Sequence, residues 1–241
     1  MSLTKLCAAL RLAAALFSAG LAVGPVPAQQ AEESSIVQHI DAAVKARFDG
    51  IESYTVTEHY AVYRNNDESH PVAEMTVKTT YLKDAGKSYS PISQSGSAII
   101  RSQVLGAILD NEKRLNLPAN REGSWITSAN YRMKVNPGGN QSVDGRDCLV
   151  LSVTPRRNSP YLFNGTLWVD AKDYTIVQFQ GTASKSSSLL TGPTQALRQY
   201  AKVDGFAMAT RARAESNSFL FGKTVVTIDY HDYQVQLRAA R

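Results

Sequence analysis

The sequence is short of cysteine: among 241 residues only Cys7 and Cys148 occur. Cys7 lies in an N-terminal segment expected to be removed, which excludes an internal disulfide and leaves a hydrophobic core to supply stability. Cys148 stands inside the run Cys148-Leu149-Val150-Leu151-Ser152-Val153 and reads as a buried, inert thiol. Charge of one sign is scarce as well. The formal charge is +5, and without residues 1–28, which hold Lys5 and Arg11 but no acid, 24 basic residues face 21 acidic ones, a balance of +3. So small an excess gives no ground for a nucleic-acid partner, which needs basic residues gathered on one face. Long hydrophobic runs are missing too. The stretch Leu12 to Val23 falls short of the roughly 20 residues of a membrane-spanning helix, and no later stretch approaches it.

Chemical signatures are equally sparse. His39, His59, His70 and His231 form no His-Glu-x-x-His, and there is no Cys-x-x-Cys, so the common zinc patterns are missing. Asp229-Tyr230-His231-Asp232 gathers possible ligands, but strand alternation splits Asp232 from Asp229 and His231, and an exposed polar edge is the simpler reading. Neither a Gly-x-Ser-x-Gly elbow nor a Gly-rich phosphate loop is present. The expectation is a protein without cofactor or metal that is not an enzyme.

What is there begins with an export signal. A basic start with Lys5 and Arg11, the apolar run, and then Gly24-Pro25-Val26-Pro27-Ala28 have the layout of a secretory signal peptide. Cleavage after about Ala28 and a periplasmic location follow as expectations, with 29–241 as a single domain. Ile36, Val37, Ile40, Val44 and Phe48 then recur at helical spacing, with Ser34 or Ser35 placed to cap and Asp49-Gly50 to end the helix.

The pattern next turns to alternation. Tyr54, Val56, Glu58, Tyr60 and Val62 share one side of a strand, and Ala73, Met75, Val77, Thr79 and Tyr81 carry a second strand back. Ile99, Ile100, Val104, Leu105, Ile108 and Leu109 form the stripe of a middle helix, whose end is crowded by Asp110, Glu112, Lys113 and Arg114. Pro91 and the Ser93–Ser97 stretch before it read as a hinge. From Ser128 onward, seven short strand-like runs are joined by loops such as Asp144-Gly145 and Asp204-Gly205, whose glycines supply the positive φ of tight hairpins. The fold expected is mainly β with two helices: a strongly curved antiparallel sheet, an incomplete barrel, covered on its concave face by α-helices.

The C-terminal half resembles the periplasmic lipoprotein-carrier (LolA-like) superfamily and its outer-membrane lipoprotein-sorting relatives. The likeness rests on Asp144-Gly145, the run Cys148 to Pro155, Leu167-Trp168-Val169-Asp170 with Tyr174-Thr175-Ile176-Val177, Tyr200 to Phe206, Phe221-Gly222, and Ile228 to Tyr233. It covers roughly residues 140–235. It implies a half-barrel that holds acyl chains of lipoproteins or other lipids in its concavity, as a monomer serving envelope membrane-protein partners. Carriers of this kind use a basic residue to tie sheet to lid, and no motif in the sequence identifies its counterpart.

Amphipathicity alone nominates the ligand-binding residues. They are Tyr54, Val56, Tyr60, Val62, Met75 and Val77 on the first hairpin, with Ile100, Val104, Leu105 and Ile108 on the helix stripe. For each of them, ordinary core packing is the competing explanation. The alternative function is a non-catalytic cell-envelope sensor or adaptor that binds a protein partner through the same fold.

Overall fold

The computed structural model describes residues 28–186, 192–218 and 222–239. The expected signal peptide lies outside the described residues, Ala28 excepted. Eleven strands form one antiparallel sheet in the order β3-β2-β1-β11-β10-β9-β8-β7-β6-β4, with β5 paired to β6 off this path. The sheet is not closed into a barrel: β3 and β4 are its two free ends.

The chain enters through α1 (Ala28–Gly50). Three long strands follow, β1 (Ile51–Arg64), β2 (Ala73–Leu82) and β3 (Gly86–Gly96). The middle helix comes next in three pieces: α2 (Ala98–Ile100), a π-helical stretch (Arg101–Gly106) and α3 (Ala107–Leu115). The meander is completed by β4 (Tyr131–Val135), β5 (Gln141–Val143), β6 (Arg146–Pro155), β7 (Phe163–Asp170), β8 (Ile176–Ala183), β9 (Gln195–Val203), β10 (Phe206–Ser218) and β11 (Gly222–Leu237). The hairpins at Asp144-Gly145 (φ 50° and 74°) and Asp204-Gly205 (φ 49° and 84°) have positive φ at both central residues, as a two-residue turn of the primed type requires.

Two expectations need correction. α1 starts before the proposed cap, so Ser34 and Ser35 lie within the helix. Its first turns are held instead by tertiary contact, the Glu33 carboxylate accepting from the Val135 amide at 2.6 Å. The segment around Pro91 and Ser93 is the edge strand β3 rather than a hinge. Pro lacks the N–H a ladder needs, but an edge strand tolerates it, and a register shift in the β2–β3 pairing falls beside Pro91. With most of β3 exposed, selection for alternating apolar residues is absent, so periodicity could not reveal it.

Direct partners in an antiparallel ladder point to the same face. One such row runs Tyr60–Ile228–Ala212–Arg198–Phe179–Leu167–Leu151 across seven strands. Both helices pack on the face that this row defines. Ile36, Ile40 and Val44 of α1 lie on Leu151, Leu167 and Phe179. Leu105 of the π stretch, with Ile100, Val104 and Ile108, lies on Tyr60, Val62, Met75 and Val77. Gly165 and Gly181 face each other in this sheet, where a Cβ on Gly165 would meet the Gln180 carbonyl oxygen at 2.0 Å. Backbones this close leave room only for glycine.

Candidate functional site: the interface of the middle helix and the sheet

The residues nominated from amphipathicity fall into two adjoining clusters. Tyr60, Val62, Met75, Val77 and Leu105 are buried together, with Ile100, Val104 and Ile108 packed against them. Tyr54 and Val56 belong to a second cluster with Tyr81, Met208 and Tyr230. Tyr54 and Tyr81 stack with centroids 4.9 Å apart. Helix and sheet are in direct apolar contact here. The adjacent cleft, lined by Arg47, Phe48, Ile51, Tyr54, Tyr81 and Asn116, keeps about 10 Å³ of free space, roughly one water molecule. Ile99, placed on the stripe by periodicity, is 68 % exposed. At about 100° per residue Ile99 stands roughly 120° around the helix from Leu105, off the buried stripe.

Between the two apolar clusters lies a set of polar residues that periodicity does not select. On β1 it begins with Glu58, in phase with Val56 and Tyr60 and 1 % exposed. One Glu58 oxygen accepts from the Tyr60 hydroxyl, while Oε1 is buried without a partner. Register sets Tyr230 opposite Glu58, and Lys87 and Tyr89 of β3 opposite Tyr81 and Thr79. From β9, Arg198 Nη2 donates to the Tyr230 hydroxyl at 3.0 Å, with the guanidinium 5.8 Å from that ring's centroid.

The helix closes the set with Glu112, whose carboxylate meets Lys87 Nζ at 2.9 Å. Asn116 Nδ2 also donates to Glu112, at 2.7 Å to its carbonyl and 3.3 Å to its carboxylate. Lys87 therefore ties the edge of the sheet to the helix.

Titration follows from these neighbours. Burial works to raise the Glu112 carboxyl, but the Lys87 and Arg198 charges and the hydrogen bonds from Lys87 and Asn116 overcome it, bringing the group down to about 2. Burial works to lower the Lys87 ammonium, and the surrounding negative groups, Glu112 foremost, carry it well above its ordinary value. Burial also raises the hydroxyls of Tyr60 and Tyr89, and pushes Tyr230 up to about 12 against the opposing pull of Arg198. At neutral pH the tie is a full ion pair. The Lys87 side chain is 7 % exposed and that of Glu112 is 27 %, so the pair sits at the margin of the helix, open to water from one side.

Further polar contacts hold the two ends of the helical segment. Ser97 Oγ accepts from the Ile100 amide at 3.4 Å, and Arg101 donates to the Ser95 carbonyl at 2.9 Å. Beyond α3, Arg121 Nη1 reaches the Tyr81 hydroxyl at 3.2 Å and the Lys83 carbonyl at 2.5 Å. Among the described residues no group of three or more His, Cys, Asp or Glu side chains gathers as a metal site would require.

No family model and no curated protein matches the sequence. Among solved structures, the chain is similar to an outer membrane lipoprotein-sorting protein domain from Vibrio parahaemolyticus, at 15 % identity and a TM-score of 0.46, over 86 % of this chain and 93 % of that one. It is similar to a DUF1329 family protein from Desulfovibrio piger at 16 % identity and a TM-score of 0.42, over 85 % and 95 % of the two chains. A LolA superfamily protein from Nitrosomonas europaea gives 16 % identity and a TM-score of 0.41, over 85 % and 93 %. The likeness is one of fold.

Proposed function

We propose that the chain is a periplasmic carrier or chaperone that binds the acyl chain of a lipid or lipoprotein between the middle helix and the sheet, without catalysis. The observation that carries this reading is the helix–sheet interface itself. Its apolar faces, Val62, Met75 and Val77 against Val104, Leu105 and Ile108, are complementary to hydrocarbon. Few polar contacts hold them together, and among the described residues the Lys87–Glu112 pair is the ionic one. Parting the two faces exposes apolar area at a cost of about 25 cal/mol per Å². An acyl chain inserted between them removes that area from water again. Helix and ligand thus compete for one surface, and the ligand shifts the population towards the parted form by as much as it binds that form better. The π stretch gives the helix a point at which its winding already departs from the regular ladder.

The test is uptake of a fluorescent fatty-acid probe by the protein and by Val104→Asp. A charge in the half-buried helix stripe is expected to abolish uptake while leaving the far-ultraviolet circular dichroism unchanged. Full uptake by the folded variant would remove the helix from the binding site.

A second reading, an envelope adaptor that binds a protein partner, is favoured by a separate observation. Ile92 on the edge strand β3 and Ile99 at the start of the middle helix are 61 % and 68 % exposed. An edge strand offers unpaired backbone groups to an added strand. Loss of partner capture on Ile92→Lys, with probe uptake absent from the native protein, is the outcome that reading expects.

A further inference from the structure

Four charged side chains gather where the middle helix meets the sheet, at a place where a carrier of plain hydrocarbon needs none. Lys87, Arg198 and Glu58 belong to the sheet, and Glu112 belongs to the helix. Formally these are two cations and two carboxylates, balanced only while the helix is in place. Lifting the helix withdraws Glu112 and leaves two cations against Glu58, one positive charge in excess.

Arg198 is the least satisfied of the four. Among the described residues its hydrogen-bond partner is a neutral hydroxyl, that of Tyr230, its Nε is buried without a partner, and no carboxylate forms an ion pair with it. The guanidinium faces the Glu112 charge without touching it, so most of its donors are left for another acceptor. Two hydroxyl oxygens nearby on the same face, Thr79 Oγ1 and Tyr89 OH, are also buried without partners, and each is able to donate to an anionic oxygen. On β1 the cluster is flanked by Tyr54 and Val56 on one side and by Tyr60 and Val62 on the other, the apolar rows of the two neighbouring clusters.

We propose that this cluster is the headgroup site for an anionic amphiphile, an acyl chain ending in one carboxylate or phosphodiester group. The anionic oxygens replace the Glu112 carboxylate at Lys87 and engage Arg198, while the hydrocarbon lies along the adjoining apolar row. This rests on the carrier reading and narrows it: Glu112 occupies the headgroup position in the closed form, so the ligand displaces the helix by substituting for one of its side chains. A single negative charge restores the balance that withdrawal of Glu112 upsets. Hydrogen bonds to charged groups are worth more than neutral ones in such a setting, so the charge state of the headgroup sets the preference.

The experiment titrates the delipidated protein with a fluorescent long-chain fatty acid and with the methyl ester of the same probe, and adds inorganic phosphate as a competitor. The acid is expected to bind at least about tenfold more tightly than the ester. Arg198→Gln and Lys87→Gln are each expected to shrink that ratio below about threefold, Glu112→Gln to preserve it, and phosphate alone to displace nothing. Equal affinity for acid and ester in the unaltered protein overturns the headgroup assignment and leaves the carrier reading standing. Displacement by inorganic phosphate also overturns it, in favour of a free-anion site. Failure of both probes to bind removes the carrier reading, and the assignment with it. If either glutamine variant does not fold, the acid-to-ester ratio of the unaltered protein decides the matter.

Discussion

The two helices cover one face of the sheet, yet what lies beneath them differs. Under α1 the cluster of Ile40, Tyr131, Leu151, Leu167 and Phe179 contains no charged side chain, the Tyr131 hydroxyl accepts from the Phe163 amide at 3.3 Å, and Trp125, stacked on Phe48, keeps an unpartnered ring N–H. The helix crosses it in 23 unbroken residues, and Asp41 and Glu33 accept from the backbone amides of Ser128 and Val135 at 2.8 and 2.6 Å. Under the middle helix, the apolar cluster borders Glu58, Lys87 and Arg198, and buried polar atoms lack partners. The helix there is interrupted by a π stretch and tied by an ion pair. The first half is held by terms that weaken only when the whole domain unfolds. The proposed function expects local opening in the second, where helix and sheet meet.

The sharpest way to break this comparison is a pair of matched truncations. Leu167 and Leu105 are both 0 % exposed. Leu167→Ala is expected to cost about 3 to 4 kcal/mol in urea unfolding, with probe uptake unchanged in the folded protein. Leu105→Ala is expected to cost about 2 kcal/mol and to raise hydrogen exchange across residues 98–115. Equal global losses at the two sites would erase the distinction between the halves.

Next in size is the tie. Lys87→Ala leaves Glu112 without its ion-pair partner and removes a cation from beside Glu58. Loss of one member of such a pair costs about 2 to 3 kcal/mol when it is partly buried. Native-state exchange should register that loss in the middle helix first, while α1 and strands β6 to β8 keep their protection. A uniform loss across both helices would show that Lys87 supports the fold rather than the closed position of one helix.

Acid should act on the same half. The Glu112 carboxyl lies at about 2 in the folded protein against an ordinary 4.5. Its folded value is depressed, so its stabilisation is present above about pH 4.5 and drains away as the pH falls towards 2. Uptake of the uncharged methyl-ester probe should therefore speed up across that window, and Glu112→Gln should be fast and flat throughout. An unaltered protein with no acid response would remove the tie as a brake on opening. Smallest of all, Gly145→Ala at φ 74°, where a Cβ would meet nothing within 4 Å, should cost about 1 kcal/mol of global stability and leave the contrast between the halves untouched.

Much of the architecture was legible in the sequence because period-2 and period-3.6 patterns report burial on one face. The first hairpin, the middle helix and seven of the eight later strands were readable in this way, the three-residue β5 excepted. The strand β3 was not, since its exposed Ser-rich length carries no alternation and its Pro91 reads as a break. The polar cluster was hidden for the opposite reason. Glu58 is in phase with Val56 and Tyr60, and Glu112 follows Leu105 and Ile108 at helical spacing, so both were on buried faces all along. Pattern reading discounts a charge in phase with apolar neighbours, and Glu112 beside Lys113 and Arg114 looked like a solvated helix end. Lys87 and Arg198 approach Glu112 only through the pairing of distant strands, which no local spacing encodes. A charged residue in phase with a buried row was the available signal.

The central claim, a carrier of acyl chains, is tested most directly by the protein taken from its native compartment. Extraction of the purified mature protein with organic solvent, followed by mass spectrometry, is expected to yield a lipid or lipopeptide in stoichiometric amount, with an anionic headgroup. An extract without lipid, from a protein that also fails to bind a fluorescent fatty acid, would contradict the carrier and leave the envelope adaptor as the reading to pursue.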